Sequence, residues 1–293
     1  MKKILLILLM ALIWAHPVYA RISVVTTLPW IGSLAEELGK DRVEVRTLVK
    51  PQQDPHQIEA RPSMILAARN ADLLIYNGLD LEAGYLPVLI ESSRNPRIAP
   101  GKAGNLDCSQ FVNVMEKLAS ADRSLGDVHP HGNPHYHLSV RNILAAAGGM
   151  TDRMIRLDPD HAAFYRSNLA TFWARVQEGQ KRWAFVKLNG MRFVAYHRFF
   201  EYLAAERGFE IVAYVEEKPG IPPSVGYISR LVESMKKSPP DAIITTSYQN
   251  ARDVAALSNR TGIKSLVVPH DVGADPEGQD WVSLMDRIMD TLK

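Results

Sequence analysis

Short runs rich in β-branched residues punctuate the chain: ISVVTT (22–27), VEVRTLV (43–49), ADLLIY (71–76), RFVAY (192–196), FEIVAYV (209–215), DAIITT (241–246) and KSLVV (264–268). Between them lie amphipathic stretches such as IGSLAEELG and RPSMILAARNA. Strand-then-helix alternation of this kind predicts α/β units with mostly parallel sheets. The alternation breaks between Leu138 and Leu188, where no strand-like run occurs. From Asp158 onward, Ala162, Phe164, Tyr165, Leu169, Phe172, Trp173 and Val176 recur at spacings of one, three or four, a helical pattern. Asp158-Pro159 predicts its start, with Asp as N-cap and Pro in the first turn. Roughly thirty helical residues at ~1.5 Å each would run ~45 Å, longer than one small lobe. The pattern therefore predicts two α/β lobes, 21–157 and 189–293, joined by one long rigid α-helix over 158–188. Gly148-Gly149, inside the preceding helical run, predicts a break or a close packing contact. No repeat of 20 to 50 residues is visible.

The first twenty residues carry a different signal. Lys2 and Lys3, an apolar run from Ile4 to Ala15 and then Val18-Tyr19-Ala20 follow the grammar of a cleavable secretory signal peptide, which places the mature start at Arg21. The apolar run falls short of the ~20 residues that cross a bilayer, so the mature protein is expected to be soluble after export. Cys108 is the only cysteine and stands far from the cleavage point, which predicts neither a lipid anchor there nor an internal disulfide. Without Lys2 and Lys3, the 34 Lys+Arg fall by two and match the 32 Asp+Glu. A chain with no net charge gives no footprint for nucleic acid or an anionic membrane.

Eight histidines remain after residue 20: 56, 129, 131, 135, 137, 161, 197 and 270. His56 lies in the loop KPQQDPHQIEARPS after a strand; His197 and His270 each follow a strand directly; His135 stands in an Asn-Pro-His turn before a helix. In an open α/β sheet, ligand groups gather at the carboxyl ends of the strands, so these four could converge in an interlobe cleft. His129, His131 and His137 read as loop residues, and His161 as a surface or packing residue of the long helix. Glu216-Glu217 reads as a solvated edge, since neighbours on a strand point apart. No G-x-S-x-G elbow, G-x-x-x-x-G-K loop, G-x-G-x-x-G turn or H-E-x-x-H helix is present.

In these positions the chain resembles the periplasmic metal-binding solute-binding proteins of bacterial zinc/manganese ABC importers, cluster A-I, zinc-uptake type. LVKPQQDPHQIEARPS is similar to the family's first ligand motif, ILAARNADLLIYNGLDLEAGY to its strand and Asn-Gly, Leu-Glu signature, GNPHYHL to its second ligand motif and FVAYHRFFEYLAAERGFE to its third. The resemblance runs in order over nearly the whole mature chain. It implies two Rossmann-like lobes bridged by a long helix, with His56, His135 and His197 as metal ligands. Three departures stand out: His137 occupies a Trp place, no Glu follows DAIITT, and VVPHDVGAD offers His270, Asp271 and Asp275 where the last ligand is commonly an Asp. Counting back from Gly273 makes His270 the first choice for the fourth ligand and Asp271 the second.

Three imidazoles and a fourth His or carboxylate suit tetrahedral Zn²⁺, with Mn²⁺ preferring more oxygen ligands. A filled shell leaves no open position for an activated water, which argues for a carrier over an enzyme. Asp54 and Glu59 are candidates to orient the ligand rings. The expected function is capture of Zn²⁺ in the periplasm, as a monomer, and delivery to an ABC permease, with a zinc-donating metallochaperone as a further candidate partner. The alternatives are a manganese or iron carrier of the same class, a secreted zinc hydrolase, and a binder of siderophore, haem or cobalamin with a large aromatic or Arg-lined cleft.

Overall fold

The structure is a computed structural model describing residues 21–117 and 129–293. The expected signal peptide lies outside the described residues. Two sheets, each of four parallel strands, form the frame. The first holds β1 (Ile22–Thr26), β2 (Val43–Thr47), β3 (Leu73–Tyr76) and β4 (Asn105–Asp107) in the order β2-β1-β3-β4. The second holds β5 (Arg192–Ala195), β6 (Glu210–Tyr214), β7 (Ala242–Thr246) and β8 (Ser265–Val268) in the order β6-β5-β7-β8. The fold is thus the two-lobed α/β arrangement that the alternating pattern predicts. β4 has no counterpart among the expected strands, because three residues, Asn-Leu-Asp, are too few to show a period.

Among the described residues, the helices are α1 (Pro29–Gly39), α2 (Pro62–Asn70), α3 (Leu86–Ser93), α4 (Val140–Leu157), α5 (Ala162–Trp183), α6 (Glu201–Arg207), α7 (Val225–Lys237), α8 (Ala251–Thr261) and α9 (Trp281–Leu292). Side chains on the second sheet alternate between two apolar clusters, as the period of two requires. Phe193, Ala195, Ala242 and Ile244 join the large core that also contains Val24, Val25, Leu74 and Ile75 of the first sheet. Val194, Tyr196 and Ile243 face Leu231 and Val232 of α7 and Leu257 of α8.

The long helix is shorter than its sequence pattern suggests. α5 spans 22 residues, or ~33 Å, and a 3-10 turn over Pro159–His161 precedes it. Asp158 makes no side-chain cap to either element. Its carboxylate instead accepts from Nδ1 of His161 at 2.8 Å and from the Tyr165 hydroxyl at 2.8 Å, which holds the chain in a tighter turn before the α-helix begins. α5 packs against α1, α4 and α9, and α9 in turn packs on β8. Arg175 of α5 ties these parts together, donating to Glu37 of α1 and, at 2.8 Å, to Asp280 at the start of α9. Gly149 sits within an unbroken α4, where a Cβ would come within 2.4 Å of the Phe111 ring, so its role is close packing.

In both sheets the strand order reverses between the first and third strands of the lobe. That reversal leaves a crevice at the carboxyl ends, because the flanking connections depart to opposite faces. Three of the histidines fall in loops at those ends.

Candidate metal centre

Each of the three comes from a different local device. His56 lies in a 3-10 turn, Pro55–Gln57, whose N-cap Asp54 accepts from the His56 amide at 3.0 Å and contacts its Nδ1 at 2.8 Å. His135 follows an Asx turn in which the Asn133 Oδ1 accepts from the His135 amide at 2.9 Å. The Asn77 carboxamide fixes the same turn by donating to the Pro134 carbonyl at 3.1 Å. His197 stands two residues beyond β5, and its Nδ1 lies 2.8 Å from Glu216 Oε2.

These turns bring the rings together. Centroids are 5.3 Å apart for His56 and His135, 5.5 Å for His56 and His197, and 5.4 Å for His135 and His197. One ligand atom from each lies within 4.8 Å of the other two. The Nε2 atoms of His56 and His135 are buried and have no hydrogen-bond partner. Leaving a buried polar atom unpaired costs roughly 1–3 kcal/mol, so two such atoms aimed at one point call for an electrophile. Carboxylates on Nδ1 of His56 and His197 fix the protonated nitrogen there and turn the Nε2 lone pairs inward, the usual second-sphere arrangement of a metal-bound imidazole. Burial, and then the neighbouring imidazoles, hold His135 well below its ordinary value of 6.5, so this ring is a neutral donor. The nitrogens of a tetrahedral zinc site stand ~3.4 Å apart, so a small contraction of the trio would complete the contact. Next to it lies a cavity of about 230 Å³ lined by Asp54, His56, Tyr196, His197, Glu216 and Tyr248.

Other positions singled out in the sequence sit elsewhere. His270 is buried, with Nδ1 3.1 Å from the Ser247 hydroxyl and its ring 4.6 Å from that of Tyr248, outside the 4.8 Å group. Asp271 is also outside that group; its Oδ1 accepts from the Val272 amide at 2.7 Å, and burial pushes its carboxyl up to about 8. Asp275 accepts from the Glu277 amide at 2.8 Å. Of the two carboxylates expected to orient rings, Asp54 does so, whereas Glu59 is exposed and has no bond to the trio.

Two loop readings need correction. Glu216 is no solvated edge: its side chain is 14% exposed and holds His197. The pairing Ala195↔Tyr214, carried two residues past the strand ends, sets His197 beside Glu216, and that register was the missing signal. His137 is no solvated loop residue either. Its ring is buried, stacks on Trp30 at 6.1 Å and meets Phe199 edge-on at 5.5 Å, while Nε2 lies 2.8 Å from the His270 carbonyl. His131, in contrast, is exposed and 3.6 Å from Asp80.

Two parallel sheets facing a buried three-imidazole site define a metal-binding solute-binding protein of the ABC-importer class. Residues 24–293 match the family of zinc-uptake complex component A, periplasmic (ZnuA), and the chain belongs to that family. It is 25% identical over 283 residues to the high-affinity zinc uptake system protein ZnuA of Bacillus subtilis (strain 168), covering 93% of this chain and 87% of the relative. It is 24% identical over 254 residues to the iron ABC transporter substrate-binding lipoprotein MtsA of Streptococcus pyogenes serotype M1, covering 83% of this chain and 77% of the relative. The solved structure of FpvC from Pseudomonas aeruginosa in complex with Mn²⁺ superposes with a TM-score of 0.79 at 22% identity, over 93% of this chain and 97% of that one. Relatives of one fold are thus named for different metals. Solute-binding proteins of this class work with a membrane permease, and no described helix is long and apolar enough to cross a membrane.

Proposed function

We propose that the protein is a zinc carrier: it captures Zn²⁺ outside the cytoplasm on His56, His135 and His197 and hands it to an ABC permease. The observation that carries this reading is the pair of buried, unpartnered Nε2 atoms within a trio whose ligand atoms lie within 4.8 Å of one another. Imidazole nitrogens suit Zn²⁺, whereas Mn²⁺ favours oxygen donors, and the carboxylates near this trio are turned to Nδ1 atoms. A cavity of about 230 Å³ accepts an ion and a few waters. It lies below the ~300–1,000 Å³ usual for organic ligands, which speaks against haem, cobalamin or a siderophore. The relatives are named for metal uptake and transport, which supports reading the site as a carrier.

The test is titration of metal-free protein with Zn²⁺ and, separately, Mn²⁺ against a chromophoric chelator. Tight one-to-one Zn²⁺ binding is expected, lost in a His56→Ala, His197→Ala double variant. Binding that survives the double variant, or a preference for Mn²⁺, would overturn the assignment.

A further inference from the structure

We infer that His129 supplies a fourth ligand, so that the cargo ion is held by four imidazoles and no carboxylate; this rests on the metal-carrier reading above. The first ground is spacing. The His129 ring centroid lies 5.4 Å from that of His56, the same distance that separates the three trio rings from one another. No other residue outside the trio places an imidazole against one of those three rings among the described residues.

The second ground is the state of the alternatives. A carboxylate ligand would have to come from Asp54, Glu216, Asp271 or Asp275. Asp54 and Glu216 are engaged at Nδ1 of His56 and His197. Asp271 and Asp275 are not in the group whose ligand atoms lie within 4.8 Å of one another. His270 also lies outside that group, with its Nδ1 3.1 Å from the Ser247 hydroxyl. His129 stands on the His56 side of the trio.

The third ground is how the turn is held. The His129 carbonyl accepts from the Gly132 amide at 3.0 Å, and the Asn133 amide donates to the Met115 carbonyl at 2.9 Å. Gly132 has φ +121°, and a Cβ there would come within 2.8 Å of the Met115 carbonyl oxygen, so only glycine lets the turn lie this close. The Asn133 carboxamide then donates to the Arg198 carbonyl at 3.1 Å, which ties the base of the turn to the residue after His197. The turn is thus anchored to both lobes, with His129 facing the trio and His131 facing Asp80. His129 lies outside the group whose ligand atoms are all within 4.8 Å, so ligation requires its ring to turn inward as the trio contracts.

Charge is consistent with this shell. Four neutral imidazoles leave the ion's two positive charges uncancelled, and Asp54 and Glu216 supply two negative charges one hydrogen bond away. An all-nitrogen shell also makes His129 a specificity residue, because it gives Zn²⁺ a complete tetrahedron and Mn²⁺ no oxygen.

The experiment compares the full chain with His129→Ala and His131→Ala, titrated with Zn²⁺ against a chelator and, after loading with Co²⁺, read by visible absorption. In His129→Ala, Zn²⁺ affinity should fall about 100-fold, the upper end of what losing a ring-orienting partner costs, with stoichiometry still one-to-one. The intense d–d bands of tetrahedral Co²⁺ should weaken and shift in the same variant, while His131→Ala leaves both readouts unchanged. An unaltered Co²⁺ spectrum and Zn²⁺ affinity in His129→Ala would remove His129 from the shell while leaving the carrier reading intact. Failure of the unmodified chain to bind one Zn²⁺ tightly would instead overturn the carrier reading itself.

Discussion

His135 and His137 are two residues apart, both buried, and they do opposite things. His135 leaves Nε2 without a partner at the meeting point of three imidazoles. His137 spends its Nε2 on the His270 carbonyl, stacks its ring on Trp30, and its own carbonyl accepts from Trp281 Nε1 at 2.8 Å. In the proposed function one ring meets the ion; the other is already satisfied and joins first-lobe chain to the segment after β8. Burial alone therefore does not mark a ligand. What separates the two is where the second ring nitrogen finds its partner.

The comparison is most sharply broken by paired substitutions. His135→Ala should lower Zn²⁺ affinity by about 1,000-fold, ~4 kcal/mol, and abolish the rise in melting temperature that zinc gives the unmodified protein. His137→Ala should leave stoichiometry at one and instead cost ~3 kcal/mol of stability in urea unfolding, since it opens a cavity against Trp30 and orphans a buried carbonyl. If the two variants behaved alike in both assays, the division between ligand and strut would be wrong.

Acid should act next, through the strut. Burial holds His137 down at about 4 against its ordinary 6.5. As pH falls below 6.5 the unfolded chain takes up this proton first, so stability present at neutral pH is lost down to pH 4. The loss from this one ring is on the order of 3 kcal/mol. His270, also lowered to about 4 by burial and then by His137, acts in the same direction. His137→Phe keeps the stack and removes the titration; urea midpoints of the metal-free protein from pH 7.5 to 4 should fall less steeply in it. Parallel profiles would show that the acid sensitivity lies elsewhere.

The smallest effect belongs to the ring-orienting carboxylates. Glu216→Gln keeps the size and removes the charge behind His197, and should weaken Zn²⁺ binding ~10- to 100-fold without changing stoichiometry. Glu217→Gln, one residue on and 46% exposed, is the control that should do nothing. Equal effects would mean that bulk charge, not the His197 contact, governs affinity.

How far the sequence could be read follows from which forces are local. The β-branched runs and the apolar spacing from Ala162 to Val176 reflect backbone geometry that each segment imposes on itself, so strands and the long helix were legible. β4 was not, because its three residues are held by pairing with β3 from Leu74↔Asn105 to Tyr76↔Asp107, a non-local cause. The helix start was displaced because the Asp158 carboxylate found His161 and Tyr165 in place of a backbone amide. At the site, Asp54 was legible because it caps its own turn two residues before His56. Glu216 was not, since only the β5–β6 register brings it to His197 across 19 residues of chain.

By itself, then, the sequence determined the donor chemistry: histidines after strands, an Asn-Pro-His turn, an Asp-Pro-His turn, and a family whose motifs occur in the same order. Only the tertiary structure decided what His137 and Glu216 do, because their partners, Trp30 and the His270 carbonyl for one and His197 for the other, are brought to them by packing and strand register. The ring beside Trp30 and the His270 carbonyl became a strut, and the ring facing His56 and His197 kept its Nε2 without a partner.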